Sequence, residues 1–233
     1  MSVSSGPITK PWSTHSPKPI KDSTLIDSYY FPPSATCSTK KTEEMPKILQ
    51  EKTELCLSNN RLFTLRPDIW LHLHNLTSLN LSDNFLSDLP EDLSILKHLT
   101  NLNLSKNRFT SLPEFLQQLK TLKSLNLSEN LLNEIGVLAG LGNLENLDLS
   151  SNKLGNIPKT FSLLGAIKIL NLSYNNLKAI PSCVQESMIE LEELDVSGNI
   201  RLSLNAPPCS RKLRVLRAQG IYFCPSMPRW LLS

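Results

Sequence analysis

The sequence predicts an α/β solenoid. Its curved parallel sheet holds about seven to eight short strands, one per coil, with short helical or 3₁₀ segments returning along the convex side. Three observations carry this expectation. The tetrapeptide LNLS occurs at Leu79 to Ser82, Leu102 to Ser105, Leu125 to Ser128 and Leu170 to Ser173, with LDLS at Leu147 to Ser150. Successive copies begin 23, 23, 22 and 23 residues apart, and so constant an interval marks a structural repeat. Between the copies, segments such as SDLPEDLSILKH (Ser87 to His98) join an apolar-Pro pair to spaced large apolar residues, as a short return requires.

The register can be written with apolar residues at positions 1, 4, 6 and 11 and Asn at position 9. It gives LTSLNLSDNFL from Leu76, LTNLNLSKNRF from Leu99, LKSLNLSENLL from Leu122, LENLDLSSNKL from Leu144 and IKILNLSYNNL from Ile167. KTELCLSNNRL from Lys52 lacks only the first Leu, LEELDVSGNIR from Leu191 keeps Asn199, and LRVLRAQGI from Leu213 is a decayed last copy. This register is that of a leucine-rich repeat.

Each position has its own chemistry. In a strand over positions 3 to 7, alternate residues face opposite ways, so Leu at 4 and 6 points inward and the residue at 5 points out. Asn80, Asn103, Asn126 and Asn171 share that fifth position with Asp148 and Asp195. They are read as an exposed polar row that would tolerate Arg at Asn126 and Asn171. The Asn at position 9 is assigned differently. Where the chain turns after each strand, backbone groups lose their ladder partners, and a buried amide can both donate to and accept from them. Asn60, Asn84, Asn107, Asn130, Asn152, Asn175 and Asn199 are predicted to form this inner ladder.

The returns TSLPEFLQQLKT (Thr110 to Thr121) and GNIPKTFSLLGA (Gly155 to Ala166) follow the same plan. The fourth, NEIGVLAGLGN (Asn133 to Asn143), is one residue shorter, lacks Pro and carries Gly, which predicts a tighter return. Residues 1–42, rich in Ser, Thr, Pro and Lys, read as a disordered tail, with Ser16 before Pro17 as a target for a proline-directed kinase. Residues 43–233 read as the repeat domain. It includes an amphipathic N-terminal cap at 43–51 and a C-terminal cap from about 206 to 233, where Trp230, Leu231 and Leu232 would cover the last coil.

Composition narrows the function. No apolar stretch approaches the roughly 18 residues of a spanning helix, so no membrane insertion is expected. The opening MSVSSGPITKPWSTHSPKPIK has no hydrophobic segment of a secretory signal, so the NLS sequons are expected to stay unmodified. Cys37, Cys56, Cys183, Cys209 and Cys224 are too scattered for a disulfide framework and suit a reducing compartment. Charge is segregated: residues 48–200 hold 12 basic and 17 acidic side chains, and residues 201–233 hold six basic and no acidic ones. No phosphate-binding glycine loop, HExxH helix or nucleophile elbow is present. His72 and His74 lack neighbouring ligands of metal spacing and read as convex-surface residues. Asp148 and Asp195 stand about two coils apart and read as polar floor, so no catalytic residue, metal or cofactor is expected.

The pattern LxxLxLSxNxLxxLPxxLxxLxx over residues 48–222 resembles the typical 23-residue class of intracellular leucine-rich-repeat proteins, which includes scaffolds for Ras-family signalling and cell polarity. The shorter fourth repeat is similar to those of phosphatase-regulatory and ciliary members, which implies as an alternative a regulatory subunit of a phosphatase or a ciliary or cytoskeletal component. The resemblance implies a non-enzymatic adaptor or scaffold in intracellular signalling. It further implies a cytoplasmic, nuclear or ciliary place for the protein.

The partner is then another protein, met by positions 3, 5, 8 and 10 at the concave face and rim. Those positions include Phe85, Lys106, Arg108, Asn126, Glu129, Asp148, Lys153, Asn171, Tyr174 and Asp195, and hot-spot chemistry singles out Phe85, Arg108 and Tyr174. A second reading uses Arg211, Lys212, Arg214, Arg217 and Arg229 to bind phosphorylated lipid or nucleic acid, but these lack interleaved aromatics beyond Tyr222, Phe223 and Trp230. Nucleic acid is therefore not the expected partner.

Overall fold

Leucines at positions 4 and 6 are two residues apart, so they share a face only where the chain is extended. In the structure, a computed structural model that describes residues 51–67, 69–204 and 210–223, this condition produces one three-residue strand per coil. The strands in chain order are β1 (Glu54–Cys56), β2 (Ser78–Asn80), β3 (Asn101–Asn103), β4 (Ser124–Asn126), β5 (Asn146–Asp148), β6 (Ile169–Asn171), β7 (Glu193–Asp195), β8 (Ser203–Leu204), β9 (Val215–Arg217) and β10 (Tyr222–Phe223). β1 to β7 and then β9 form an eight-stranded sheet in sequence order, every neighbouring pair parallel and in repeat register, as in Leu102 opposite Leu125. The decayed copy at Leu213 thus contributes the last strand. A separate parallel pair of β8 with β10 has no counterpart in the repeat pattern.

The convex returns are mostly 3₁₀ turns. Those at Glu91–Ile95, Glu114–Gln118 and Lys159–Leu163 each follow a Pro at φ −67°, whose ring fixes the entry angle. The exception is α1 (Ser182–Ser187), which follows Pro181 in a coil of 24 residues, where the extra length accommodates a helical turn. The Pro-free fourth return is a 3₁₀ turn at Gly136–Gly140. A Cβ on Gly140 would lie 2.5 Å from the Cβ of Gln117 in the preceding return, so a shorter coil brings backbone against side chain. Gly140→Ala is expected to cost about 1–3 kcal/mol through overpacking. A urea midpoint equal to wild type would contradict this close approach.

Inward leucines from all coils form one continuous core from Leu55 to Leu213, with Trp70, Phe109 and Phe161 as its largest fully buried side chains. Inside it runs a polar seam. The Asn84 side chain accepts from the Asn60 and Leu62 amides at 3.1 and 2.9 Å and donates to the Leu57 carbonyl at 2.9 Å. Asn107, Asn130, Asn152, Asn175 and Asn199 make the same backward connection, each accepting from position 11 and donating to position 6 of the preceding coil. Asn60 departs from the expected ladder. It is half-buried, and its amide reaches only the carbonyl of Ser58 in its own coil. The proposed tail, most of the N-terminal cap, and the cap residues Trp230, Leu231 and Leu232 lie outside the described residues.

Candidate functional site

A parallel sheet usually has both faces covered. Here the leucines cover one face only, and the other presents positions 3 and 5. The residues at position 5 are not a free polar row. The Ser82 and Ser105 amides each donate to the side-chain oxygen of Asn80 and Asn103 at 3.0 Å. At Asn126, both the amide and the hydroxyl of Ser128 donate to Oδ1, at 2.9 and 2.8 Å. Asp148 and Asn171 hold Ser150 and Ser173 in the same way, and Asp195 accepts from the Ser197 amide. The N-x-S spacing of LNLS is thus an Asx turn that ends the strand.

Asn126 is only 8% exposed, which corrects its assignment to the exposed row. An Arg there would displace two hydrogen bonds and crowd Ser124 and Ser128, which are also buried. The outward pleat direction was legible from spacing. The local hydrogen bond that draws the amide back onto the chain was not.

Position 8 carries a second feature that the pattern hides. Asp83, Lys106, Glu129, Ser151 and Tyr174 all have φ between 53 and 57°, in the left-handed region where Gly is the easiest occupant. In the next coil this place is taken by Gly198 at φ +73°, where an added Cβ would stand 2.7 Å from the Tyr174 ring. Tyr174, 67% exposed, therefore lies flat against the neighbouring backbone. Lys106 and Glu129 form an ion pair at 3.8 Å across adjacent coils.

At position 10, Arg108 lies over the Phe85 ring at 4.4 Å. Phe85 in turn meets Phe63 with ring centroids 5.0 Å apart. Phe63 escaped the position-based reading because it sits at position 12. Its signal was that no other coil puts an aromatic residue there. Lys153 is exposed two coils beyond Arg108. The structure thus brings Phe85 and Arg108 together, pairs Lys106 with Glu129, and leaves Tyr174 and Lys153 further along the array.

Along the opposite margin, position 2 reads Lys123, Glu145, Lys168, Glu192, Arg214, with the sign alternating from coil to coil. Lys168 Nζ is 2.6 Å and Lys123 Nζ 3.5 Å from the Glu145 carboxylate, and Arg214 is 3.9 Å from Glu192. The Lys168 hydrogen bond holds the Glu145 carboxyl below its usual range against the opposing effect of partial burial, and Glu145 raises Lys168 in turn. A depressed carboxylate stabilises the fold above its unfolded-state value, about 4.3 for Glu, and loses that contribution as pH falls through the folded value. Glu145→Gln should therefore flatten the acid limb of melting temperature against pH below about pH 5, modestly because the pair is solvent-screened. An acid limb of unchanged slope would show that the pairing contributes nothing.

Part of the basic C-terminal segment is likewise engaged. Lys212 pairs with Glu190, Arg214 with Glu192, and Arg217 with Glu193 at 3.8 Å. These three cations therefore lie beside acids of the preceding coil, while Arg211 is exposed and the Lys212 and Arg214 side chains stay more than half exposed. Arg229 lies outside the described residues. His72 and His74 are exposed, and among the described residues no three His, Cys, Asp or Glu side chains group as a metal site. No helix among the described residues is long and apolar enough to cross a membrane.

Residues 53–109 and 97–154 match a family model described as leucine rich repeat. A leucine-rich-repeat protein of Leptospira interrogans superposes with TM-score 0.69 at 32% identity, covering 77% of this chain and 46% of its own. The leucine-rich repeat domain of APL1B gives TM-score 0.64 at 27% identity, with 77% of this chain and 53% of its own covered. The chain thus spans about half the length of these two solved chains. No curated protein matches it in sequence. Because 441 solved chains match, the fold is widely shared and by itself names no partner.

Proposed function

The chain is a leucine-rich-repeat protein, and from that premise we propose that it is a non-enzymatic adaptor or scaffold that binds another protein. The observation that carries this reading is that, among the described residues, leucines pack only one face of the parallel sheet, while the other presents positions 3 and 5 with Tyr174 exposed at its rim. Tyr174 at the rim and the half-buried, outward Ile169 supply apolar contact in the C-terminal half, and Asp148, Asn171 and Asp195 add polar groups whose turn-closing bonds fix their orientation. Apolar side chains set among polar groups of fixed orientation suit a protein interface of mixed polarity. A role in intracellular signalling follows from the resemblance of the repeats to scaffold proteins. A cytoplasmic setting accords with the free thiols of Cys56 and Cys183.

The test is quantitative affinity capture from cell lysate with the wild type and an Ile169→Arg, Tyr174→Arg variant of matched melting curve. Both side chains stand outside the core, so the fold should tolerate the exchange. Specific loss of captured proteins is the expected result. Identical captured sets would move the binding surface away from the sheet face.

A further inference from the structure

The two margins of the sheet treat their charges in opposite ways. The position 2 row neutralises itself coil by coil. Along the rim, Phe63 at position 12 of the first coil is followed by Phe85, Arg108, Leu131 and Lys153 at position 10 of the next four, and neither Arg108 nor Lys153 meets a carboxylate among the described residues. These side chains are held in register by the backbone. The amides of Phe85, Arg108, Leu131 and Lys153 donate to the Leu62, Leu86, Phe109 and Leu132 carbonyls of the preceding coils at 2.8 to 2.9 Å. Phe63 is 63% and Leu131 38% exposed, so apolar surface and unbalanced cations share one stripe.

We propose that this stripe seats an acidic amphipathic helix of a partner protein, presenting apolar, acidic, apolar and acidic side chains at successive turns. The spacing argues for a helix. Adjacent coils lie about 4.8 Å apart, and a helix laid along the rim offers one side chain per turn of about 5.4 Å. One apolar turn then meets the Phe63 and Phe85 rings, an acid reaches Arg108, the next apolar turn covers Leu131, and a second acid reaches Lys153. The accumulated mismatch over these coils is about 2 Å, within reach of the flexible Arg and Lys stems.

Charge also selects the partner class. Residues 48–200 carry 17 acidic against 12 basic side chains, and Asp83 and Glu129 stand on the sheet side of the stripe, so a phosphate backbone, charged along its whole length, meets repulsion that a helix with acids only opposite Arg108 and Lys153 largely avoids. The chain's own ends are poor occupants. Residues 1–47 hold six Lys against four acids, and residues 201–233 hold no acid at all.

The inference rests on the protein-binding reading, and its test uses the full chain with defined probes. The first probe is a labelled helical peptide of about 18 residues with Leu, Glu, Leu and Glu at successive turns, long enough to hold helix. The second has Gln for both Glu, and the third is an oligothymidylate of similar length. At low ionic strength the Glu peptide should bind at least about tenfold more tightly than the Gln peptide. Arg108→Glu with Lys153→Glu should weaken it by about the same factor, whereas Lys97→Glu with Lys159→Glu, an equal charge change on the convex side, should alter it less than about twofold.

Equal binding of the Glu and Gln peptides, or no binding of either, would overturn the inference. So would equal weakening by the convex variant, which would reduce the effect to net charge, or displacement of the peptide by oligothymidylate at lower concentration. Failure here together with loss of captured proteins in the Ile169→Arg, Tyr174→Arg variant would remove the rim site and leave the sheet-face reading in place.

Discussion

Phe109→Ala is expected to lower the unfolding free energy by about 3–5 kcal/mol, the range for deleting a fully buried aromatic ring. Phe109 is 0% exposed and stands at position 11 of the third coil, where the coils on either side carry Leu86 and Leu132. The wider ring therefore fills space that its neighbours do not reach. Each coil of a solenoid touches only the next, so the lost volume has few second neighbours from which to be refilled. A urea titration followed by circular dichroism should show the midpoint falling sharply. A loss under about 1 kcal/mol would mean that the adjoining leucines close over the gap.

Asn130→Leu should cost about 2–4 kcal/mol for a different reason, and the hydrogen bonds show where the damage falls. The Leu104, Leu127 and Ser128 carbonyls each lose a bond from Asn130 but keep another, from Asn107, Asn152 and the Lys106 amide. The Phe109 amide has no substitute, because Asn130 Oδ1 at 3.1 Å is its acceptor. A buried orphan donor carries a penalty of about 1–3 kcal/mol, to which the weakened carbonyl contacts add. Asn60→Leu, in the first described coil, should cost far less, since Asn60 is half-buried and its side-chain amide bonds only within its own coil among the described residues. Equal losses at the two positions would refute a ladder whose strength depends on a coil at its back.

The parts of the fold legible in the sequence are those in which one side chain specifies one direction. Alternating leucines specify a strand and its buried face, and Pro90, Pro113 and Pro158 specify returns. Position 9 was legible because a polar residue recurring among buried leucines must satisfy something internal. Where the reading stopped, two functions competed for one side chain. Asn126 alternates outward by the pleat, yet Ser128 draws its oxygen into a turn and buries it.

The left-handed position 8 was invisible for another reason. Lys, Glu, Ser and Tyr fill it at Lys106, Glu129, Ser151 and Tyr174, and Asn59, Asp83, Gly198 and Gly220 betray the backbone only at the two ends of the array. Of the candidate site, position gave Phe85, Arg108 and Tyr174. The stacking partner Phe63 and the engagement of Arg214 and Arg217 with the preceding coil depended on distances across the array.

The alternating margin gives the solenoid a parity. A leucine-rich stack could in principle lose any coil and reclose, since every strand offers the same leucine edge. Removing the coil that carries Glu145 would set Lys123 beside Lys168, two cations at one strand spacing. Removing that coil together with the next would set Lys123 beside Glu192 and restore the alternation. The leucines hold the coils together without distinguishing them, while from Lys123 to Arg214 this weaker row of surface charges distinguishes odd from even and so favours shortening of that part of the array by coils in pairs.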